Sequence, residues 1–503
     1  MSTATQADDV LDVDLDEIAT HAPRGSHLPW LLSMWGIAAV SLLAILLLDV
    51  SNMTVGVLSM VLLVSLLLAG LHIGLSMIAA SAVSLWTIAG PTVVGSTLMD
   101  AVYYPAASWQ LSVVPMYIFM GVALWKSGLT GKAFDSAKLW LGRMPGGLAI
   151  ATNAAGAGFA AASGSTVAIT YAIGRVAIPE MLRAKYDARL ATGIASMSGV
   201  VGSLIPPSVL LVIYAGVAQT SVGHQLLAGV VPGLALAVVF GIVIVVWAVL
   251  RPDVAPRADM TGVTFRDKVR SLSSVIPVVA IILVVIGGLL FGVFTPTESG
   301  AFGALAALVV GWTARQTKGK RSFRDFFKFF GEIVKSTVTS TAGIFLLFVG
   351  IAVLTRSMAL SQLTQNLTDA IIGANFSPVV FLLILMGAYL IMGMFLDGMS
   401  MMLLTVPLLI GPLLALDISL LWFGIFMVMM IEIGSATPPV GMLPFIIHQI
   451  VQDKDVSLGQ KISLVTVFKG AAPFVIGAIL FCLLLIFVPE IATWLPEISS
   501  AKG

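Results

Sequence analysis

From Leu28 to the C-terminus the chain returns again and again to apolar stretches of about 20 residues, each long enough as a helix to cross a hydrocarbon layer of roughly 30 Å. Water cannot be the solvent for such a chain. Hydrophobic residues make up 58% of the 503 and charged residues 10%, with mean hydropathy +1.05, too little polar surface to coat a soluble domain. The fold class that follows is all-α integral membrane. Spans are expected at about 30–50, 53–71, 73–92, 110–126, 190–216, 225–250, 272–293, 299–314, 336–355, 418–450 and 471–489.

Two further apolar regions, about 147–180 and 377–416, are broken near their middles by small or polar residues. In the first, Ser163-Gly164-Ser165-Thr166 leaves halves of about 14 residues, roughly 21 Å of helix, too short to cross. The chain is expected to turn back partway as a re-entrant hairpin. Non-helical backbone at that depth is tolerated only inside protein or beside a water-filled cavity, so such a tip argues for a site.

Lysine and arginine are absent from 27–125, 190–250 and 357–453, and clustered at 126–143, 175–189, 251–270 and 315–335. The positive-inside rule puts the clusters in the cytoplasm, with the N-terminus inside and the C-terminus outside in a multi-pass membrane protein. Basic residues flank the first hairpin and not the second, so the two enter from opposite sides. Residues 1–28, rich in aspartate, read as a disordered cytoplasmic tail.

The hexapeptide Gly202-Ser203-Leu204-Ile205-Pro206-Pro207 recurs as Gly434-Ser435-Ala436-Thr437-Pro438-Pro439, and matching context extends to both sides: Asp187, Gly193 and Ile194 answer to Asp417, Gly424 and Ile425 before it, and Ser221 and Gly223 to Ser457 and Gly459 after it. Each copy then holds five spans and one hairpin, at 52–250 and 272–489, joined by a cytoplasmic linker at 251–271. An odd number of spans inverts the second copy relative to the first. The helix at 29–51 stands outside both, and 490–503 is expected as a tail. Within each copy the prolines must break the helix, which frees carbonyl oxygens and exposes a positively polarised half-helix end.

At Ser163-Gly164-Ser165-Thr166-Val167-Ala168, Val176-Ala177-Ile178-Pro179-Glu180-Met181 and Ile205-Pro206-Pro207-Ser208, the chain resembles the large membrane subunit of the tripartite ATP-independent periplasmic (TRAP) transporters. Thr295-Pro296-Thr297-Glu298, Phe395-Leu396-Asp397, and Glu432-Ile433-Gly434 through Thr437-Pro438-Pro439-Val440-Gly441 are similar to that family's motifs in the second half. The resemblance implies an elevator transporter, not an enzyme, with no organic cofactor. It implies sodium-coupled uptake of a small organic anion (a C4-dicarboxylate, a 2-oxo acid or a sialic-acid-like acid) delivered by a periplasmic binding protein. The extra helix at 29–51 departs from the usual large subunit and is too short to be a fused small one, so a separate small membrane subunit is expected as partner.

Sodium is a hard cation suited to several oxygen ligands, which backbone carbonyls at helix breaks can supply. Carried over by motif, one sodium site takes Ser163, Gly164 and Ser165 with Gly202 and Ile205, and a second takes Gly393, Asp397 and Gly398 with Gly434, Thr437 and Val440. The resemblance assigns substrate to Thr166, Ser203, Pro206, Pro207, Ser435, Pro438 and Pro439. For a lone Ser-Gly-Ser the plainer reading is close helix packing. Asp397 and Glu432 are acids within apolar spans, each a functional hypothesis by default, with a structural pairing the alternative for Glu432. Arg175 and Arg356 could meet a substrate carboxylate, but both lie near span ends, where snorkelling explains them. The Arg321, Arg324 and Lys328 stretch, interleaved with phenylalanines, reads as an interfacial amphipathic helix.

Other classes fit less well. A net charge of +1 without a basic face argues against nucleic acid. One cysteine, Cys482, and five scattered histidines signal no disulfide or zinc site. A stand-alone sodium/dicarboxylate symporter is the nearest rival. An ion-translocating subunit of a membrane enzyme would need a relay of charged residues along its spans, and only two candidates are present.

Overall fold

The computed structural model describes residues 28–163, 166–256, 263–273, 275–314 and 322–500, so the expected tail at its N-terminal end and the hairpin residues Gly164 and Ser165 lie outside the described residues. Every regular element described is a helix. In chain order these are α1 (Leu28–Leu47), α2 (Asn52–Leu68), α3 (Ile73–Ala89), α4 (Pro91–Ala107), α5 (Val113–Lys126), α6 (Leu129–Leu141), α7 (Gly147–Ser163) and α8 (Thr166–Arg183). Then come α9 (Ala188–Met197), α10 (Val209–Ala218), α11 (Val222–Leu250), α12 (Phe265–Leu272), α13 (Ile276–Leu290), α14 (Pro296–Ala314) and α15 (Phe323–Leu360). The remainder are α16 (Leu363–Gly373), α17 (Pro378–Gly393), α18 (Gly398–Ala415), α19 (Leu420–Ala436), α20 (Met442–Ile450), α21 (Lys454–Ser457), α22 (Leu464–Phe487) and α23 (Glu490–Ser500).

Among the described residues, α1, α11, α15, α18 and α22 are each long and apolar enough to cross a bilayer unaided. Several others expected as full spans, such as α2, α3 and α13, are shorter. The stretch at 190–216 is divided into α9 and α10, and that at 418–450 into α19 and α20, at the two Pro-Pro pairs. Proline at these points removes an amide donor and turns its predecessor out of the helical region. Both Pro-Pro peptide bonds are cis. Helices not expected from hydropathy also appear: α4, α6, α12 and α16, and α23 inside the segment expected as a C-terminal tail. The amphipathic stretch after Ser322 is not a separate interfacial helix; it runs on unbroken as the first turns of α15.

The chain forms two compact units. One comprises 1–111, 339–377 and 403–418. Lipid-embedded helices gain little from hydrophobic association, so close contact rests on small residues. Here Gly74 faces Leu346, Gly350 lies against Met77, and the Ser357 hydroxyl donates to Ser84 Oγ at 2.8 Å. Leu85, Ala101 and Val353 form a buried cluster where α3, α4 and α15 meet.

The second unit comprises 112–338, 378–402 and 419–503 and holds every described residue of the expected sites. Its tightest crossing joins α9 to α22, where a Cβ on Gly193 would lie 2.1 Å from the Gly470 carbonyl oxygen. A Cβ on Gly470 would lie 2.0 Å from that of Arg189. Only paired glycines allow backbones that close.

Candidate functional site

The first Pro-Pro break follows α9. A short 3-10 turn, Val200–Ser203, loosens the helix, and residues 201–208 are all buried. Ser208 then caps α10, accepting from the Leu211 amide at 3.3 Å while its hydroxyl donates to the Ser203 carbonyl. Helix α11 can run beside the break only because Gly229 and Gly233 lack side chains: a Cβ on Gly229 would stand 2.1 Å from the Leu204 carbonyl oxygen. The expected site residues Gly202, Ser203, Ile205, Pro206 and Pro207 thus sit inside protein.

The second break follows α19 and is different. Thr437 closes the helix, donating its hydroxyl to the Ile433 carbonyl at 2.7 Å and its amide to that of Gly434 at 3.0 Å. Ser435 donates to the Glu432 carbonyl at 2.8 Å. Beyond them Pro438, Pro439 and Val440 are exposed, Val440 by 48%. One break is sealed and the other open.

The arms of the expected hairpins meet α19 and the first break at close quarters. Of the first tip, Ser163 ends α7, Gly164 and Ser165 fall outside the described residues, and Thr166 opens α8. Gly199 accommodates the start of α8, since a Cβ there would lie 2.9 Å from the Thr166 carbonyl oxygen and 3.2 Å from Thr170 Oγ1. That Thr170 hydroxyl is fully buried and has no partner among the described residues. Around the second tip, Gly393 ends α17 directly on Gly434, a Cβ on Gly393 lying 2.5 Å from the Gly434 Cα. Gly398 begins α18 against Ile431, whose Cγ2 would be 2.2 Å from a Cβ there.

Glu432 joins these parts. The residue, 4% exposed, accepts from the Thr166 hydroxyl at 2.7 Å and lies beside Ser203, whose own hydroxyl donates to the Val200 carbonyl at 2.7 Å. The same turn of α19 that touches the first hairpin and first break through Glu432 touches the second hairpin arm through Gly434. The structural pairing weighed for Glu432 is therefore present, and it binds together residues expected to serve two separate sites. No sequence spacing announces this, because Thr166 and Glu432 are 266 positions apart.

Other acids and bases find local partners. Asp397 is exposed, and caps α18: its Oδ2 accepts from the Ser400 amide at 3.1 Å and its Oδ1 from the Ser400 hydroxyl. Glu298 makes a reciprocal cap with Thr295, accepting from the Thr295 amide at 2.8 Å while Thr295 Oγ1 accepts from the Glu298 amide at 3.3 Å. Arg175 donates to Asp453 at 2.6 Å and to the Tyr171 hydroxyl at 3.1 Å, so its guanidinium is engaged within the protein. Sequence reasoning passed over Gln225 and Tyr214, which donate to the first-turn carbonyls of α19, Leu421 at 3.1 Å and Leu420 at 2.7 Å. Gly424 makes room for both.

A sequence model of the DctM component of tripartite ATP-independent periplasmic transporters matches residues 60–491. The chain belongs to this DctM family. Among similar DctM-type proteins is the sialic acid TRAP transporter large permease SiaM of Vibrio cholerae, 30% identical over 395 residues, 78% of this chain and 87% of that one. The C4-dicarboxylate TRAP transporter large permease DctM of the same organism is 28% identical over 406 residues, again 78% and 87%. In structure the chain resembles the YdaH transporter of Alcanivorax borkumensis, with TM-score 0.59 and 15% identity over 86% of this chain and 98% of that one, a likeness of fold. This DctM-family chain is thus a multi-pass membrane permease, the large permease of a TRAP transporter, and not an enzyme.

Proposed function

We propose that the chain takes up a small organic acid coupled to sodium, by an elevator movement, in the bacterial inner membrane with its N-terminus cytoplasmic and C-terminus periplasmic. A periplasmic binding protein delivers the acid, and a separate small membrane subunit completes the permease. The observation that carries this reading is the Glu432 junction, where one buried carboxyl group meets the start of α8 and the first break while its own helix ends in the second. A cation released or bound at either break is felt at the other through one helical turn.

The donor set fits sodium. Hydroxyl and carbonyl oxygens of Ser163, Gly164, Ser165, Gly202 and Ile205 would hold one ion. Those of Gly393, Asp397, Gly398, Gly434, Thr437 and Val440 would hold the other. The unpartnered Thr170 hydroxyl beside Gly199 supplies one more buried oxygen near the first. A positive ion in each place would draw the carboxylate of the substrate toward Thr166, Ser203, Pro206 and Pro207, and toward Ser435, Pro438 and Pro439. Sialic acid and C4-dicarboxylates are the acids to try first, since similar permeases carry their names.

The test is initial uptake by proteoliposomes containing this chain, its small subunit and its binding protein, measured against sodium concentration. Glu432→Gln, Ser203→Ala and Thr437→Val should each weaken apparent sodium affinity by several-fold at unchanged levels of folded complex. Uptake without sodium would remove the ion from the proposal, and full uptake by this chain alone would make it a stand-alone symporter.

A further inference from the structure

The short helix α12 has no part in the breaks or hairpins, yet it is built with care. Thr264 and Asp267 form a complete capping box, with Thr264 N and Oγ1 both donating to Asp267 Oδ2, at 3.0 and 2.6 Å, and the Asp267 amide donating to Thr264 Oγ1 at 3.2 Å. The one acid of the helix is thereby used by the backbone. Helix α12 is fastened sideways to α6: Trp140 Nε1 donates to the Lys268 carbonyl at 3.1 Å, and Ser136 and Ser271 share a 2.9 Å hydrogen bond. The Lys268 ammonium lies 5.8 Å from the Trp140 ring centroid, and Phe265 meets the same ring edge-on with centroids 6.4 Å apart.

Fixing the helix this way leaves an outward face of uncommon chemistry. Phe265 is 73% exposed, Val269 48% and Trp140 40%. At 100° per residue Phe265, Val269 and Leu272 share one side of α12, Arg266 and Arg270 lie along one flank, and Lys268 lies along the other. Both arginines are exposed, and among the described residues neither forms an ion pair. Three cations and one capped acid cannot sit within hydrocarbon, and an aromatic-aliphatic face of this size has no reason to sit in water. The next element, α13, is fifteen residues free of charge, so chain connectivity puts α12 at the edge of the bilayer.

We propose that α12, held by Trp140, is a binding surface for anionic phospholipid. Phe265, Val269 and the Trp140 edge enter the acyl boundary, while Arg266 and Arg270 straddle headgroup phosphates, the guanidinium fork matching two phosphate oxygens at once. Charge complementarity selects phosphatidylglycerol over phosphatidylcholine. The fixed geometry selects bound lipid over loose annular lipid.

The full-length chain, purified in mild detergent and given equimolar phosphatidylglycerol and phosphatidylcholine, should retain phosphatidylglycerol several-fold preferentially by native mass spectrometry. The pair Arg266→Gln and Arg270→Gln should reduce that preference to near parity, with thermal unfolding in detergent alone unchanged because both side chains are solvent-facing. The pair Arg266→Lys and Arg270→Lys should keep part of it, and Phe265→Ser, which spares every cation, should lower total lipid retention. Wild-type preference in the glutamine pair, or parity in the wild type, overturns the proposal. So does displacement of the lipid by millimolar inorganic phosphate, which would make the surface a site for a soluble anion.

Discussion

Glu432 accepts from the Thr166 hydroxyl, and its burial makes the loss of that partner felt. A double-mutant cycle on Thr166→Val and Glu432→Gln should return a coupling of about 0.5–3 kcal/mol in chemical denaturation of the solubilised protein. Strict additivity would mean that the contact does not form. A second residue-scale test lies outside the spans, at Asp187, which caps α9 by accepting from the Arg189 amide at 2.7 Å. The Arg189 guanidinium, hydrogen-bonded to its carboxylate, holds Asp187 below the usual carboxylate range. A carboxylate depressed on folding stabilises the protein above its unfolded pKa, about 3.9, and that gain is lost as pH falls through the folded value. Asp187→Ala should therefore cost about 1 kcal/mol at pH 7, a difference that shrinks as the pH is taken below about 4.

At the scale of elements, the α9–α22 crossing is the one most sensitive to a single carbon. Gly470→Ala places its Cβ against the Arg189 carbonyl, and overpacking against backbone should cost about 1–3 kcal/mol or more, seen as loss of monodisperse protein on size exclusion. Gly241→Ala in α11 is the control, having nothing within 4 Å. Wild-type behaviour of both would argue against the crossing. The breaks were legible in the sequence because proline acts locally: at Pro206-Pro207 and Pro438-Pro439 the chain must leave the helix whatever surrounds it. Helices such as α4, α6, α12 and α16 were not, because mixed polar and apolar composition dilutes the hydropathy signal. The same distinction holds for the site. Asp397 standing three residues before Ser400 is a capping pattern that local reading could have found. The Glu432–Thr166 contact joins partners 266 positions apart, and only the fold supplies it.

For the whole molecule, the topology proposed from the uneven distribution of lysine and arginine expects α12 and α23 on opposite faces of the membrane. The single cysteine, Cys482, is buried, so introduced thiols can be read against a quiet background. In intact cells, Arg266→Cys should resist a membrane-impermeant maleimide until the membrane is opened, whereas Glu497→Cys should react at once. Labelling of both from outside would reverse the assignment. The contact between Gly393 and Gly434 carries a further consequence, in genetic terms. Every single-base missense change in a glycine codon brings in a residue with a Cβ, and here either Cβ would meet the opposing backbone at less than 3 Å. A library of random single-base variants selected for uptake should come back blank at both codons. Gly387, on the same helix as Gly393 and with nothing within 4 Å, should return a spread of substitutions.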